Sequence, residues 1–134
     1  MGKGTYPNGG LIAANVGDPA IIYVTITAAA DVQASGYAVT KGGDYVSAVT
    51  RPAEGDMKIA LRQGFPQFLG FSFLGSTRAG SFPYLDTAAS IGDGTDPHID
   101  LTWQEGDPLA DKDPDSAVIQ LALHVKRTKT GFSA

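Results

Sequence analysis

Residues 117–126, AVIQLALHVK, decide the fold class because their apolar side chains recur with a period of two. Successive side chains of a β-strand point to opposite faces of a sheet. The residues on the fully apolar face are Ile119, Leu121, Leu123 and Val125, and those on the other face are Val118, Gln120, Ala122, His124 and Lys126. The pattern predicts a core strand followed by a short basic segment that includes Lys126 and Arg127.

Six further segments have the composition of short strands, and Gly, Pro or Asp separates most of them. They are residues 21–27, 37–40, 44–50, 57–62, 65–74 and 98–103. In residues 57–62, Met57, Ile59 and Leu61 alternate with polar or small residues and are expected to face the core. The Phe-rich segment 65–74 alternates too, which places Leu69, Phe71 and Phe73 on one face and Phe68, Gly70 and Ser72 on the other.

Length and turn residues indicate one all-β domain. The chain has 134 residues with 17 Gly and 8 Pro spread along it, and about seven short strands fit an antiparallel β-sandwich or barrel-like domain. We expect a flexible N-terminal arm at residues 1–20, a β domain at 21–128, a tail at 129–134, and a long central loop at 75–97. Cysteine is absent, which excludes disulfides and thiolate metal sites, and no apolar run approaches the ~20 residues of a membrane span.

Charge is divided unevenly along the chain. Residues 86–115 contain nine acidic residues and one lysine, whereas the rest of the chain contains nine basic and five acidic residues. Such asymmetry favours a polarised surface that meets a charged neighbour. Nucleic acid is not an expected partner, because no basic stripe is interleaved with aromatic residues.

Two groups of polar residues are candidates for chemistry. His98 lies near Asp96 and Asp100, and a His–Asp pair can act as a general base, but no nucleophile motif accompanies it. There are two acidic clusters, Asp93, Asp96 and Asp100 around the end of the central loop, and Asp107, Asp111, Asp113 and Asp115 in an Asp–Pro-rich acidic loop at 104–115. They leave open a structural cation, although the spacing does not fit an EF-hand. Because Asp–Pro pairs are also ordinary turn residues, we predict no catalytic residue, no metal site and no cofactor.

Exposed aromatic and basic residues are the best candidates for partner contacts. Phe82 and Tyr84 flank Pro83 inside the predicted central loop, where an aromatic side chain is less often buried in the core than it is in a strand. Together with Trp103 they form either a part of the core or a platform on which a sugar stacks. The predicted partner-binding residues are therefore Phe82, Tyr84, Trp103, Lys126 and Arg127.

The order of segments resembles that of small structural virion proteins of tailed bacteriophages, above all head decoration (cement) proteins. A Gly–Asp–Tyr–Val hairpin at 43–46 precedes an alternating strand at 57–62. An apolar strand containing Phe68–Leu69–Gly70, a variable loop, an Asp–Pro–Asp turn at 113–115 and the closing apolar strand follow. The resemblance spans roughly residues 21–130.

This resemblance implies a non-enzymatic protein on the surface of the phage head, made in the host cytoplasm. It implies the major capsid protein as partner and self-association, with a trimer favoured. The alternative is a carbohydrate- or receptor-binding β-sandwich of a phage tail or fibre, because many such modules are also small, Gly-rich and β-built.

Overall fold

A computed structural model describes residues 19–86 and 95–127, which form two antiparallel sheets packed face to face. The elements in chain order are β1 (Pro19–Ala28), α1 (Val32–Ser35), β2 (Tyr37–Lys41), β3 (Val46–Thr50), β4 (Asp56–Leu61), β5 (Gln67–Ser76), β6 (Phe82–Leu85), β7 (His98–Glu105), β8 (Ala110–Asp111) and β9 (Val118–Lys126). Sheet A has the order β2-β1-β9-β5. Sheet B has the order β3-β4-β7-β6, and β8 pairs with β7. The predicted antiparallel β-sandwich is thus confirmed, and the described strands do not close into a barrel.

The closing strand lies in the centre of sheet A, between β1 and β5. Its apolar face is completely buried: Ile119, Leu121, Leu123 and Val125 have no exposed surface. Opposite them, sheet B contributes the inward residues of β4 and β7, which are Met57, Ile59, Leu61, Ile99, Leu101 and Trp103. The period of two in the sequence therefore identified the core face of β4 and β9 correctly.

Strand β5 departs from the predicted alternation because it contains two bulges. The register with β9 shifts between Phe68 and Gly70 and again between Phe73 and Gly75, so each shift falls on a Phe–Leu–Gly tripeptide. A bulge inserts one extra residue and exchanges the faces beyond it. Phe68 consequently packs against the core with Phe71 and Phe73, and the prediction that Leu69 shares their face is wrong.

Two predicted loops contain short strands. The Phe82–Leu85 segment of the predicted central loop is strand β6, paired with β7, while residues 87–94 lie outside the described part. In the predicted acidic loop, Ala110–Asp111 pairs with the end of β7. Strand β1 begins at Pro19, two residues inside the predicted arm, and residues 1–18 and 128–134 lie outside the described part. No helix among the described residues is long and apolar enough to cross a membrane.

The buried carboxylate of Asp113 connects the loop after β8 to the turn between β3 and β4 through hydrogen bonds. Asp113 accepts hydrogen bonds from the Arg51 guanidinium at 2.9 Å and from the Gly55 amide at 2.8 Å. Gly55 has φ +81°, and a Cβ there would lie 2.9 Å from the Trp103 carbonyl oxygen. The turn therefore requires glycine, and its packing against β7 holds both loops at one end of sheet B.

Candidate interaction surfaces

The predicted partner-binding residues do not lie together. Phe82 and Tyr84 are exposed on β6, at the edge of sheet B, with 57% and 43% of their surface accessible. Lys126 is half-buried on sheet A and is followed by the exposed Arg127. Trp103 has no exposed surface, so it cannot touch a partner directly, and its prediction as a partner-binding residue is wrong. The remaining residues belong to two separate surfaces.

Trp103 is nevertheless linked to the exposed Phe82 by ring contacts that pass through Phe73. Its ring makes an edge-to-face contact with Phe73, with centroids 5.7 Å apart, and Phe73 makes another with Phe82 at 6.4 Å. Edge-to-face pairs favour a defined ring orientation. The Phe82 ring is thereby held from the inside while its outer surface stays accessible.

We call Phe82, Tyr84 and Leu85 the β6 patch; all three side chains are exposed. Strand β6 is an edge strand, and Pro83 in its middle has no amide hydrogen to offer to an added strand. A partner that meets this edge therefore contacts side chains and does not extend the sheet. The patch suits an apolar, side-chain-mediated contact.

The outer surface of sheet A, which we call the neutral face, has no carboxylate in any of its four strands. Directly paired residues form rows across it: Ile21–His124–Gly70, then Tyr23–Ala122–Ser72, then Lys41–Thr25–Gln120–Gly75. Tyr23 is 64% exposed, and Ile21, Leu74 and Val118 are exposed as well. A groove of about 230 Å³ follows the last row and is lined by Tyr23, Thr25, Lys41, Leu74 and Gln120. The neutral face is apolar and mildly basic.

The outer surface of sheet B has the opposite character, and we call it the acidic face. Its carboxylates are those of Asp56, Asp86, Asp96, Asp100 and Asp111. Asp56, Asp86 and Asp100 line a small groove of about 120 Å³ together with Pro52. Lys58 is a cation on this face; its Nζ lies 2.8 Å from Asp96 Oδ2, and this hydrogen bond lowers the pKa of Asp96. Asp86, Asp96, Asp100 and Asp111 thus bring four of the nine acidic residues of the 86–115 segment to this side of the sandwich.

The two histidines lie on opposite sheets. His98 Nε2 is 3.4 Å from Asp100 Oδ2, and its Nδ1 is 2.6 Å from the Asp96 carbonyl oxygen, so the predicted His–Asp proximity exists. No hydroxyl among the described residues is hydrogen-bonded to His98. His124 Nε2 lies 3.0 Å from Ser72 Oγ, which is a nucleophile–base spacing, but the paired neighbours of His124 are Ile21 and Gly70. Within the described ranges no carboxylate is seen to orient this imidazole, as a catalytic triad requires.

Three carboxylates of the acidic loop are each bound to a different donor. Asp113 pairs with Arg51, Asp115 Oδ1 accepts from the Val32 amide at 3.0 Å, and Asp111 Oδ1 accepts from Gln104 at 3.0 Å. The described residues contain no group of three or more potential ligands arranged to hold a metal ion. Asp93 lies outside the described part. These three carboxylates thus serve to fix loop geometry.

A second ion pair stiffens the loop that leads into β6. Arg78 binds Glu105 through two hydrogen bonds, of 2.6 and 3.0 Å, and also donates to the Asp115 carbonyl oxygen. The hydrogen bond from Arg78 lowers the pKa of Glu105 below its ordinary value. Since the β6 patch begins four residues after Arg78, this pair helps to fix the patch relative to β7.

The sequence analysis missed the neutral face and its most exposed aromatic residue, Tyr23. Residues 21–27, IIYVTIT, are β-branched or aromatic throughout, so their strand propensity alone did not show which side faces water. The signal was the alternation itself, because Ile22, Val24 and Ile26 are buried and the intervening residues point outward.

No protein-family model and no curated protein matches the sequence, and no solved structure matches the fold. Proposals about function rest on these surfaces.

Proposed function

We propose that this chain is a non-enzymatic structural protein that binds an assembled phage capsid and stabilises it as a decoration protein. The partner in this proposal is the major capsid protein, and the location is the outer surface of the phage head. The order of sequence segments suggests this class of protein, and the β6 patch supplies a surface on which such a contact can be built.

The observation that carries the proposal is the exposed aromatic pair on a rigid edge strand. Phe82 and Tyr84 are large, accessible and two residues apart, and the Phe82 ring is oriented by Phe73 from the core side. Aromatic anchors that are already ordered before binding lose little side-chain entropy when a partner covers them. The proline in β6 directs the contact to side chains, as expected for docking on a folded surface.

The test is cosedimentation with purified heads of tailed phages from which the native decoration protein has been removed. The wild-type chain should sediment with heads of its own phage type at a fixed, saturable ratio and raise the temperature at which those heads release DNA. Phe82→Asp should weaken the binding at least tenfold, since it replaces a central apolar anchor by a charge.

The matched control is Tyr45→Asp, which introduces the same charge at an exposed aromatic residue in the turn between β2 and β3. It should bind heads like the wild type. The proposal is wrong if the chain fails to sediment with any head type tested, or if Phe82→Asp and Tyr45→Asp bind equally well.

A second candidate function is carbohydrate or receptor binding by a tail or fibre module. The observation in its favour is the groove on the neutral face, where exposed Tyr23 lies beside the polar side chains of Thr25 and Gln120. A glycan array followed by titration calorimetry would test it. Saturable binding of a glycan that Tyr23→Ala abolishes and Phe82→Asp leaves intact would favour this function over capsid attachment.

A further inference from the structure

We propose that the neutral face of one copy of this chain docks on the acidic face of a second copy. The contact is between different surfaces of the two subunits, and it therefore leaves one neutral face and one acidic face free in every pair. This inference does not rest on capsid binding, which is assigned to the β6 patch at the edge of the sandwich.

The neutral face has the features of a surface that becomes covered. Its four strands contain no Asp or Glu, and the charged side chains in them are those of Lys41 and Lys126. Tyr23, Ile21 and Leu74 are exposed between these two lysines. Depletion of charge in the centre, with an aromatic residue present and cations toward the margin, is the composition of protein–protein interfaces.

The acidic face carries the carboxylates that the neutral face lacks. Asp56, Asp86 and Asp100 surround one groove on this face. Juxtaposed surfaces of opposite charge are favoured because each desolvated charge finds a counter-charge across the interface. The chain itself therefore contains the acidic partner that suits Lys41 and Lys126.

Charge also argues against symmetric pairing of like faces. Two neutral faces in contact would bring lysines toward lysines, and two acidic faces would bring carboxylates toward carboxylates, which is repulsive. Because sheets A and B form opposite sides of the sandwich, a contact between unlike faces can be repeated from copy to copy. The mass should then grow with concentration instead of stopping at a dimer.

The test uses the full chain in analytical ultracentrifugation over a concentration series up to about 1 mM, which reaches contacts of millimolar affinity. Two variants each block one face. Tyr23→Glu puts a carboxylate on the neutral face, and Asp86→Lys puts a cation on the acidic face. Both positions are exposed, and Asp86→Lys relieves crowding of carboxylates, so both variants should fold.

Each variant alone should be monomeric where the wild type associates. An equimolar mixture should regain association, because the intact acidic face of Tyr23→Glu can bind the intact neutral face of Asp86→Lys. The controls are Tyr45→Glu and Asp44→Lys, which make the same changes in the turn between β2 and β3 and should associate like the wild type.

Three results would overturn the inference. A wild-type chain that stays monomeric up to about 1 mM lacks the contact. An Asp86→Lys variant that associates normally while Tyr23→Glu does not would indicate pairing of two neutral faces, and the reverse would indicate pairing of two acidic faces. A mixture that remains monomeric would show that the two blocked surfaces are not partners.

Discussion

Leu121 and Gln120 are neighbours in β9 that should respond very differently to truncation. Leu121 has no exposed surface and lies between Val24 and Phe73 on the adjacent strands. Gln120 points to the neutral face between Thr25 and Gly75. Replacing either residue by alanine removes side-chain atoms from the same strand, so the pair isolates the effect of burial.

The expected cost of Leu121→Ala is about 3–4 kcal/mol. Three carbons leave the core, each worth about 0.8 kcal/mol of transfer free energy, and a residual cavity of some 50 Å³ adds about 1 kcal/mol. Gln120→Ala should change the free energy of unfolding by less than about 0.5 kcal/mol, since its side chain is exposed on the outer face.

Urea unfolding of the two variants measures this difference. With a slope of about 1.5–2 kcal/mol per molar urea, Leu121→Ala should lower the midpoint by about 2 M at an unchanged slope. The measurement belongs at low protein concentration, where association does not add to stability. Similar midpoints for the two variants would mean that β9 does not present Leu121 to the core, and the packing derived from its alternation would be refuted.

Two further predictions concern the ion pair of the β6 loop and the bulge in β5. Glu105 has its pKa lowered by Arg78, so the pair stabilises the fold above the ordinary carboxyl pKa of 4.5 and loses this effect as the pH falls through the lowered value. Urea unfolding should therefore show Glu105→Gln less stable than wild type at pH 7, with a difference that shrinks as the pH falls below 4.5, and a difference that does not shrink would contradict the assignment. Phe68→Ala should lower the urea midpoint more than Leu69→Ala does, because Phe68 packs against the core. The opposite order would mean that Leu69 faces the core and that β5 alternates without a bulge at this position.

The fold class followed from the sequence because burial imposes a period of two on each strand. Where one face is uniformly apolar, as in β9, the inward residues can be assigned without a structure. The method failed in β5 because a bulge changes the phase of the alternation within the strand. The tripeptide Phe–Leu–Gly occurs at both bulges, and an isolated glycine inside a strand pattern was the available warning.

The surfaces were harder to predict than the core. Phe82 and Tyr84 were identified correctly as exposed aromatics, although their strand was not, since the four-residue β6 containing Pro83 has too little pattern to be recognised. Trp103 was placed either in the core or on a contact surface, and only the first is compatible with its complete burial. A sequence shows which residues alternate with their neighbours, but which side of a sheet is covered depends on packing between distant strands.

The position of β9 has a consequence for how the chain is made. Strand β9 is the last described strand, yet it lies between β1 and β5 and pairs with both over nearly its whole length. Until it leaves the ribosome, β1 has only β2 beside it in sheet A and β5 has no described partner. The apolar faces of β1 and β5 therefore stay uncovered while the rest of the chain is synthesised. The hydrophobic core can form only after synthesis has passed Lys126.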